Sequence, residues 1–253
     1  MKYKRIIPLF LLKGSRLVKG TRFGDFVDVG DPLSQAMIYD AQGADEIAFV
    51  DIEASGKGTV IDAALITAMI RKTRLPISAG GGIRSVQDGR SCFNAGADKI
   101  IINTHAVLDN RLVRDLSDEF GSQSVLVSID VKVTDAGTPE VFVHSGTKRV
   151  ETPLEEVLAT VVESGAGEIM LTVINNEGGL RGFADDLYAR IRPLLNVPLI
   201  ASGGAGCYDD IVSMFKASDA DACALGKMLT LRDYDIVRIK SYMKGKKVQT
   251  RDA

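Results

Sequence analysis

Short apolar runs alternate with amphipathic stretches of helical length along the chain. Nearly continuous apolar runs are typical of parallel strands buried on both faces, and amphipathic stretches between them are typical of the helices that cover such strands. The pattern therefore predicts an α/β protein of eight strands and eight helices. The predicted strands begin near Ile6, Glu46, Pro76, Lys99, Ser124, Glu168, Val197 and Ala220, and the predicted helices lie near residues 31–43, 58–74, 85–96, 109–120, 152–165, 184–195, 207–217 and 232–243.

One region outside this alternation, residues 132–148, follows the fifth predicted strand. It contains the turn signal Asp135-Ala136-Gly137, and the apolar run Val141-Phe142-Val143 comes directly after it in the same loop. A glycine-containing turn next to a short apolar run is typical of a hairpin. We therefore expect an inserted β-hairpin here.

The chain also repeats itself. The segment Gly43-Ala44-Asp45-Glu46-Ile47 recurs as Gly165-Ala166-Gly167-Glu168-Ile169, and Ala79-Gly80-Gly81-Gly82 recurs as Ala201-Ser202-Gly203-Gly204, both 122 residues later. Two copies of four βα units give eight, and about 250 residues is the usual length of a (β/α)8 TIM barrel. We predict a single barrel domain over residues 1–253, with half-barrels at about 1–122 and 123–253. A doubly wound open sheet is the alternative, but its edge strands would differ in pattern from its central ones.

The glycine-rich segments at the predicted strand ends indicate anion binding. In a barrel the chemistry lies at the C-terminal ends of the strands, and glycines there let backbone N–H groups approach an anion at the start of a helix. The repeat predicts two such sites on opposite sides of the mouth, which suits a ligand with a phosphate at each end. The alternative is that the glycines only permit tight turns. The first cradle consists of Gly82, Asn103 and Thr104, and the second cradle of Gly203, Gly204, Gly226 and Lys227.

Asp130 is the best-placed candidate for general acid–base chemistry. It follows an apolar strand at the mouth, where burial can shift its pKa. Aligning the two halves places Leu11 where a partner carboxylate would stand, so the pair lacks one acid unless another residue, such as Asp51, substitutes. The alternative role for Asp130 is to cap a loop.

A group of charged residues lies at the predicted strand starts, on the face of the barrel opposite the mouth. Two basic and two acidic residues there could close a ring of charges. On the residues alone, a stabilising role is the simpler interpretation, because charges at the bottom of a barrel usually serve stability. The four residues are Arg5, Glu46, Lys99 and Glu168.

Composition excludes several classes of protein. The 45% hydrophobic and 25% charged residues are those of a soluble globular protein, and no apolar run reaches the roughly 18 residues of a membrane span. A net charge of −2 without a basic cluster argues against nucleic acid as a partner. Three scattered cysteines and two histidines do not suggest a metal site or disulfides. The first residues lead into too short an apolar run for a signal peptide, so we expect a cytoplasmic protein.

Seven segments taken together resemble HisF, the cyclase subunit of imidazole glycerol phosphate synthase, from residue 1 to about residue 245. The resemblance implies a (β/α)8 barrel without a cofactor that receives ammonia from a HisH-like glutaminase on its bottom face. At the top face such proteins use this ammonia on a substrate with two phosphates. The segments are Arg5-Ile6-Ile7-Pro8, Leu17-Val18-Lys19-Gly20, Gly30-Asp31-Pro32, Gly80-Gly81-Gly82-Ile83-Arg84-Ser85, Ile102-Asn103-Thr104, Phe120-Gly121-Ser122-Gln123 and Ala201-Ser202-Gly203-Gly204-Ala205-Gly206.

The resemblance also assigns roles. The four bottom-face charges match the family's ammonia gate, which reverses the simpler interpretation given above. Asp130 matches one of two catalytic aspartates, and the other falls at Leu11. The loop-one lysine of the family matches Lys19, and its phosphate-binding positions match Gly82, Asn103, Thr104, Gly203 and Gly204.

The mouth departs from the family at further positions. Gly14-Ser15 replaces Asp-Gly, Asn175-Asn176-Glu177-Gly178-Gly179 replaces Asp-x-Asp-Gly-Thr, and Gly226-Lys227 replaces Ala-Ser. This pattern looks more like the HisF-like paralogues of surface-polysaccharide (lipopolysaccharide) clusters, which work with a HisH-like glutaminase and a separate sugar amidotransferase.

Two hypotheses follow. In the first, the chain is an ammonia-conducting subunit for sugar amidation. In the second, it is an authentic cyclase (a lyase) of histidine biosynthesis, in which an unidentified residue replaces the acid missing at Leu11. Whether the chain is itself an enzyme stays open at this point.

Overall fold

The computed structural model of the chain describes residues 3–232 and 234–252. The strands are β1 (Arg5–Lys13), β2 (Arg16–Thr21), β3 (Gly24–Gly30), β4 (Ile47–Asp51), β5 (Ile77–Gly80), β6 (Lys99–Ile102), β7 (Val125–Val133), β8 (Pro139–Val143), β9 (Lys148–Arg149), β10 (Glu168–Val173), β11 (Leu199–Ser202) and β12 (Ala222–Leu225). The helices are α1 (Pro32–Ala41), α2 (Ala54–Lys57), α3 (Ala63–Ile70), α4 (Val86–Asn94), α5 (Thr104–Leu108), α6 (Arg111–Phe120), α7 (Leu154–Glu163), α8 (Asp185–Ile191), α9 (Tyr208–Ser218), α10 (Lys227–Leu231) and α11 (Ile236–Gly245).

Eight parallel strands close into a barrel. Their order is β1, β4, β5, β6, β7, β10, β11 and β12, and β12 pairs with β1 again. The two halves join where β6 pairs with β7, from Ile100 with Val125 to Ile102 with Val127, and where β12 pairs with β1, from Ala222 with Arg5 to Leu225 with Pro8. Every barrel strand thus has a neighbour on both sides, so the open-sheet alternative is wrong and the predicted (β/α)8 barrel is confirmed.

The helices lie between the strands as predicted, with differences at their ends. The helix expected from residue 58 begins only at Ala63, because Gly58 has a left-handed φ of 67° that ends α2 and the Asp62 side chain caps α3 by accepting from Ala64 N. The last helix, expected at 232–243, spans Ile236–Gly245. In the described part of the chain no helix combines the length and the apolar character that crossing a membrane requires.

Two hairpins extend from the barrel mouth. In the region expected to hold a hairpin, β8 pairs antiparallel with the end of β7, and β9 pairs with β8. The second hairpin, β2 with β3, continues from the end of β1 and was not predicted. The residues of β3 are half-buried or exposed, and the sequence of this strand accordingly shows no apolar run.

The core has two parts. The larger one fills the space between the barrel and the helices, and the smaller one fills the barrel itself. Side chains alternate along each strand, so one set points inward. The inward apolar layer is formed by Ile7, Ala48, Ile101, Leu126, Met170, Ile200, Ala222 and Ala224.

The sequence repeat has a counterpart in the backbone. The residue before α5, Asn103, has φ −123° and ψ −92°, and the residue before α10, Gly226, has φ −115° and ψ −92°. The strand starts correspond as well, because Asp98 accepts from Ile77 N at 2.8 Å and Asp221 accepts from Leu199 N at 3.0 Å. Equivalent positions of the two halves therefore have the same local geometry.

Candidate functional site

A cavity of about 340 Å³ opens at the C-terminal ends of the barrel strands. It is bordered by β-strand ends from both halves and by the β2–β3 hairpin. The residues that the sequence indicated as catalytic or ligand-binding candidates at this end of the barrel, and Leu11 at the position of the missing acid, line the cavity: Leu11, Lys19, Asp51, Gly82, Asn103, Thr104, Asp130, Gly203, Gly204, Gly226 and Lys227.

Asp130 is buried within this cavity, near the end of β7. Its carboxylate accepts a hydrogen bond from Asn103 Nδ2 at 2.9 Å, and the same amide donates to Ser128 O at 3.0 Å. Burial raises the pKa of Asp130 to about 7; the hydrogen bond from Asn103 opposes the rise, and the nearby charge of Glu177 adds to it. A carboxyl group with a pKa near neutrality can both give and take a proton.

Leu11 lines the same cavity from β1, where its neighbours in the sheet are Val18 of β2 and Val50 of β4. It therefore occupies the position that the half-barrel comparison indicated for a second acid. A leucine there adds apolar surface and cannot exchange a proton.

Glu177 also lines the cavity; the sequence placed it in a mouth segment that departs from the family but assigned it no role. It lies in the loop after β10, and its carboxylate accepts from Phe23 N at 3.3 Å. Burial raises the pKa of Glu177, while the bond from Phe23 and the charges of Lys19 and Lys227 lower it. The rule that barrel chemistry follows the strand ends points to this loop, in which Glu177 is the first acidic residue after β10.

Two lysines supply positive charge near the second cradle. Lys19 is almost fully buried and its amino group donates to Leu9 O, while Lys227 Nζ donates to Thr21 Oγ1 at 2.6 Å. Burial lowers the pKa of Lys19 to about 8, against the opposing charge of Glu177. Gly226 makes room for this lysine, because a Cβ on Gly226 would lie 2.9 Å from Lys19 Nζ.

The sequence predicted that the glycine doublets lie at the start of helices, and the structure differs from this prediction. Gly82 and Gly204 each precede the first residue of the next long helix, Val86 of α4 and Tyr208 of α9, by four residues. They form tight turns instead: Gly82 has φ +72°, and a Cβ there would clash with Thr59 O. The backbone of each doublet nevertheless borders the cavity, where its N–H groups can face a ligand.

Asp51 lines the cavity, but its carboxylate is engaged by its own loop. Its Oδ1 accepts from Glu53 N at 2.9 Å and from Ala54 N at 3.1 Å. This geometry is that of a loop cap, and Asp51 Oδ2 is the oxygen that these two bonds leave free for other contacts.

At the opposite end of the barrel the four charged residues meet in a closed ring. Arg5 contacts Glu46 at 3.1 Å and also pairs with Glu168, and Lys99 Nζ lies 2.9 Å from Glu46 and 2.8 Å from Glu168. Each cation therefore bridges both carboxylates. Burial disfavours the charge of Lys99, but the two glutamates outweigh burial and raise its pKa.

Comparison with known proteins identifies the family of the chain. The family described as "Histidine biosynthesis protein" matches residues 5–235 of the chain. The chain belongs to this family. It is 38% identical to the imidazole glycerol phosphate synthase subunit HisF of Natranaerobius thermophilus over 253 residues, which covers 99% of this chain and 100% of that protein.

Further relatives carry the same name. The HisF subunit of Flavobacterium johnsoniae is 39% identical over 99% of this chain and 100% of its own length, and that of Geobacillus thermodenitrificans is 38% identical over 98% and 99%. Full-length similarity to HisF subunits shows that this member of the family is of the HisF type, as the resemblance implied.

Proposed function

We propose that the chain is the synthase subunit of a glutamine amidotransferase complex, and that it conducts ammonia from a HisH-like glutaminase on its bottom face to its mouth. A separate sugar amidotransferase then uses the ammonia to amidate a surface-polysaccharide sugar. The observation that carries this proposal is the combination of a complete charged ring at one end with Leu11 in place of an acid at the other.

The barrel interior supports conduction of a neutral molecule. Above the ring, the inward layer is apolar and includes the small residues Ala48, Ala222 and Ala224. A charged ammonium ion loses most of its hydration in such a layer, whereas neutral ammonia loses far less. The cavity at the mouth reaches down to Ile101 and Met170, two members of this layer.

The ring itself has a use in this function. Four charges at the end of a barrel carry a desolvation cost that apolar side chains avoid, so a barrel without a use for them is expected to lose them. A narrow polar opening admits ammonia and holds back bulk ions. We therefore assign Arg5, Glu46, Lys99 and Glu168 to the ammonia entrance.

A second candidate is the authentic cyclase reaction of imidazole glycerol phosphate synthase. Glu177 favours it, because it gives the mouth a second buried carboxyl group that interacts electrostatically with Asp130. The names of the relatives favour it as well. In this candidate, both cradles hold the two phosphates of the substrate.

The discriminating experiment measures cyclase turnover of the purified chain with ammonia and the two-phosphate substrate of imidazole glycerol phosphate synthase. Loss of one member of an acid–base pair costs about 10²- to 10⁴-fold in rate, so we expect turnover lower than that of a HisF relative by this factor. Leu11→Asp should raise turnover, and the isosteric control Leu11→Asn should not. Wild-type turnover within about tenfold of the relative, abolished by Glu177→Gln, would establish the cyclase instead.

A further inference from the structure

Lys19 places a buried amine in the wall of the mouth cavity. Its side chain starts on β2, is almost fully buried and lines the cavity. The amino group lies between Leu9 O, to which it donates, and Gly226, and both of these residues line the cavity as well. Among the residues that the structure describes, no carboxylate forms an ion pair with this amino group. Burial therefore disfavours its ammonium form without a counter-charge in direct contact.

Gly226 makes room for the amine at this wall. A Cβ on Gly226 would lie 2.9 Å from Lys19 Nζ, and the next atoms it would meet are Cε and Cδ of the same lysine at 3.5 and 3.7 Å. The backbone itself does not require a glycine here, because Asn103 has nearly the same φ and ψ at the equivalent position of the other half. The space left by the missing side chain is thus the space that the Lys19 amine uses.

This placement favours the neutral form of the amine. Burial lowers the pKa of Lys19 to about 8, against the opposing charge of Glu177. At pH 8 about half of the Lys19 amines are therefore neutral, compared with less than about 1% for an exposed lysine of ordinary pKa. A neutral lysine amine is a nucleophile that attacks carbonyl carbon atoms.

An acid that can assist such an attack faces the same cavity. Asp130 lies on β7, which is the fourth strand after β1 in the eight-stranded barrel, so it stands on the wall opposite Leu9 and the amine. Its pKa of about 7 lets it give and take a proton near neutral pH. The cavity of about 340 Å³ between them is large enough for a small ligand.

We propose that Lys19 captures a small aldehyde or ketone, such as the open-chain form of a sugar, as an imine in the mouth cavity. The lone pair of Nζ forms a bond to the carbonyl carbon, the carbonyl oxygen takes a proton from Asp130, and the nitrogen returns a proton to the carboxylate. The hydroxyl group then takes a proton from Asp130 and leaves as water, the C=N bond forms, and the nitrogen again returns a proton. The inference goes beyond the proposed function, because it needs neither ammonia nor a partner protein.

Reductive trapping on the purified chain tests the proposal. Sodium cyanoborohydride reduces an imine to a stable secondary amine, and peptide mass spectrometry identifies the lysine that carries the added group. With D-glyceraldehyde as the probe at pH 8, we expect Lys19 to be labelled at least about tenfold faster than Lys72, because a much larger fraction of its amine is neutral. Lys72 is an exposed lysine of the same chain and thus an internal control.

Two variants test the geometry. Gly226→Ala should slow the labelling of Lys19 at least about fivefold, because the added methyl group occupies the space of the amine. Asp130→Asn should slow it about tenfold or more, because the amide does not supply the proton. The control Gly56→Ala should label like the wild type, since a Cβ at that position would point into open space.

Labelling of Lys19 no faster than that of Lys72 in the wild type would overturn the proposal. Labelling that neither Gly226→Ala nor Asp130→Asn slows would overturn it as well, because the reactivity would then not come from this placement of the amine. The experiment uses the chain alone with glyceraldehyde, so its failure would leave the proposed conduction of ammonia unaffected.

Discussion

Asp130 shows how one residue's surroundings set its chemistry. In the unfolded chain its pKa is near 3.8, and in the folded protein burial raises it to about 7. Between these values the folded protein holds a proton that the unfolded chain has released. The free energy of unfolding therefore falls as the pH rises through this window.

Asp130→Asn removes this titration while keeping an oxygen that can accept from Asn103. We expect the variant to gain stability relative to the wild type as the pH rises, by about 1 to 3 kcal/mol between about pH 4 and about pH 8. Urea unfolding followed across this range measures it. The exposed control Asp118→Asn should show the wild-type pH dependence. A constant difference between Asp130→Asn and the wild type would contradict the burial of an ionisable group at this site.

Asp130 and Glu177 differ in how well their place in the site can be predicted from the sequence. Asp130 could be predicted because it follows a long apolar run that has to be a strand. Glu177 was harder to predict: it comes four residues after the end of β10, in a polar and glycine-rich loop. Only the folded loop brings it back over the mouth, where Arg22 N and Phe23 N bind it.

At the scale of elements, the β2–β3 hairpin packs closely against the loop after β10. Gly178 has φ +64°, and a Cβ there would clash with Gly20 O of β2. Next to it, Arg22 N donates to Glu177 O at 3.0 Å. The hairpin carries Lys19, so this contact also fixes the position of a lysine within the cavity.

Gly178→Ala should displace the hairpin, because alanine is strained at this φ and its Cβ needs the space of Gly20 O. We expect a loss of about 1 to 3 kcal/mol in the free energy of unfolding, with faster amide hydrogen exchange across β2 and β3. Gly56→Ala is the control, since a Cβ at that position would point into open space. Unchanged exchange in β2 and β3 of Gly178→Ala would show that the contact does not hold the hairpin.

The β2–β3 hairpin is also an element that the sequence did not predict. The barrel strands are buried on both faces and show as apolar runs, as in β5 and β11. The strand β2 pairs with β3 and with the end of β1, whereas β3 pairs only with β2 and has no buried residue. Without a buried face, the pattern of apolar residues does not distinguish β3 from a loop, and the buried part of β2 is a short segment that contains the polar residue Lys19.

At the scale of the whole molecule, the barrel connects a polar ring at one end with a cavity at the other. The sequence repeat was sufficient to predict this architecture, because each half supplies the same arrangement of strands and glycine turns. It could not predict the connectivity within the ring. In the folded protein each cation contacts both glutamates, so removing Glu46 leaves Arg5 and Lys99 sharing Glu168.

Glu46→Ala therefore leaves an excess positive charge at the bottom of the barrel. Removing one partner of a buried ion pair costs about 3 to 5 kcal/mol, but Arg5 and Lys99 are each one-fifth exposed, so we expect about 1 to 3 kcal/mol here. The double variant Glu46→Ala/Lys99→Ala restores the charge balance and should recover part of the loss. Chemical denaturation of the three proteins measures this, and a double variant less stable than Glu46→Ala would contradict the account.

The central claim is that ammonia enters through the ring and travels inside the barrel. The most direct measurement is the amount of glutamine consumed per amidated product formed in the complex of this chain with its glutaminase and acceptor enzyme. For the wild type, we predict that the amount of glutamine consumed equals the amount of amidated product formed. We predict the same equality for Lys4→Ala, which removes a lysine that pairs with Asp219 outside the ring. The Lys99→Ala variant should still bind the glutaminase. Its complex should consume more glutamine than the amount of product that it forms, because ammonia escapes at the altered entrance. Equal consumption and product formation in Lys99→Ala would contradict the claim and return the ring to a purely stabilising role.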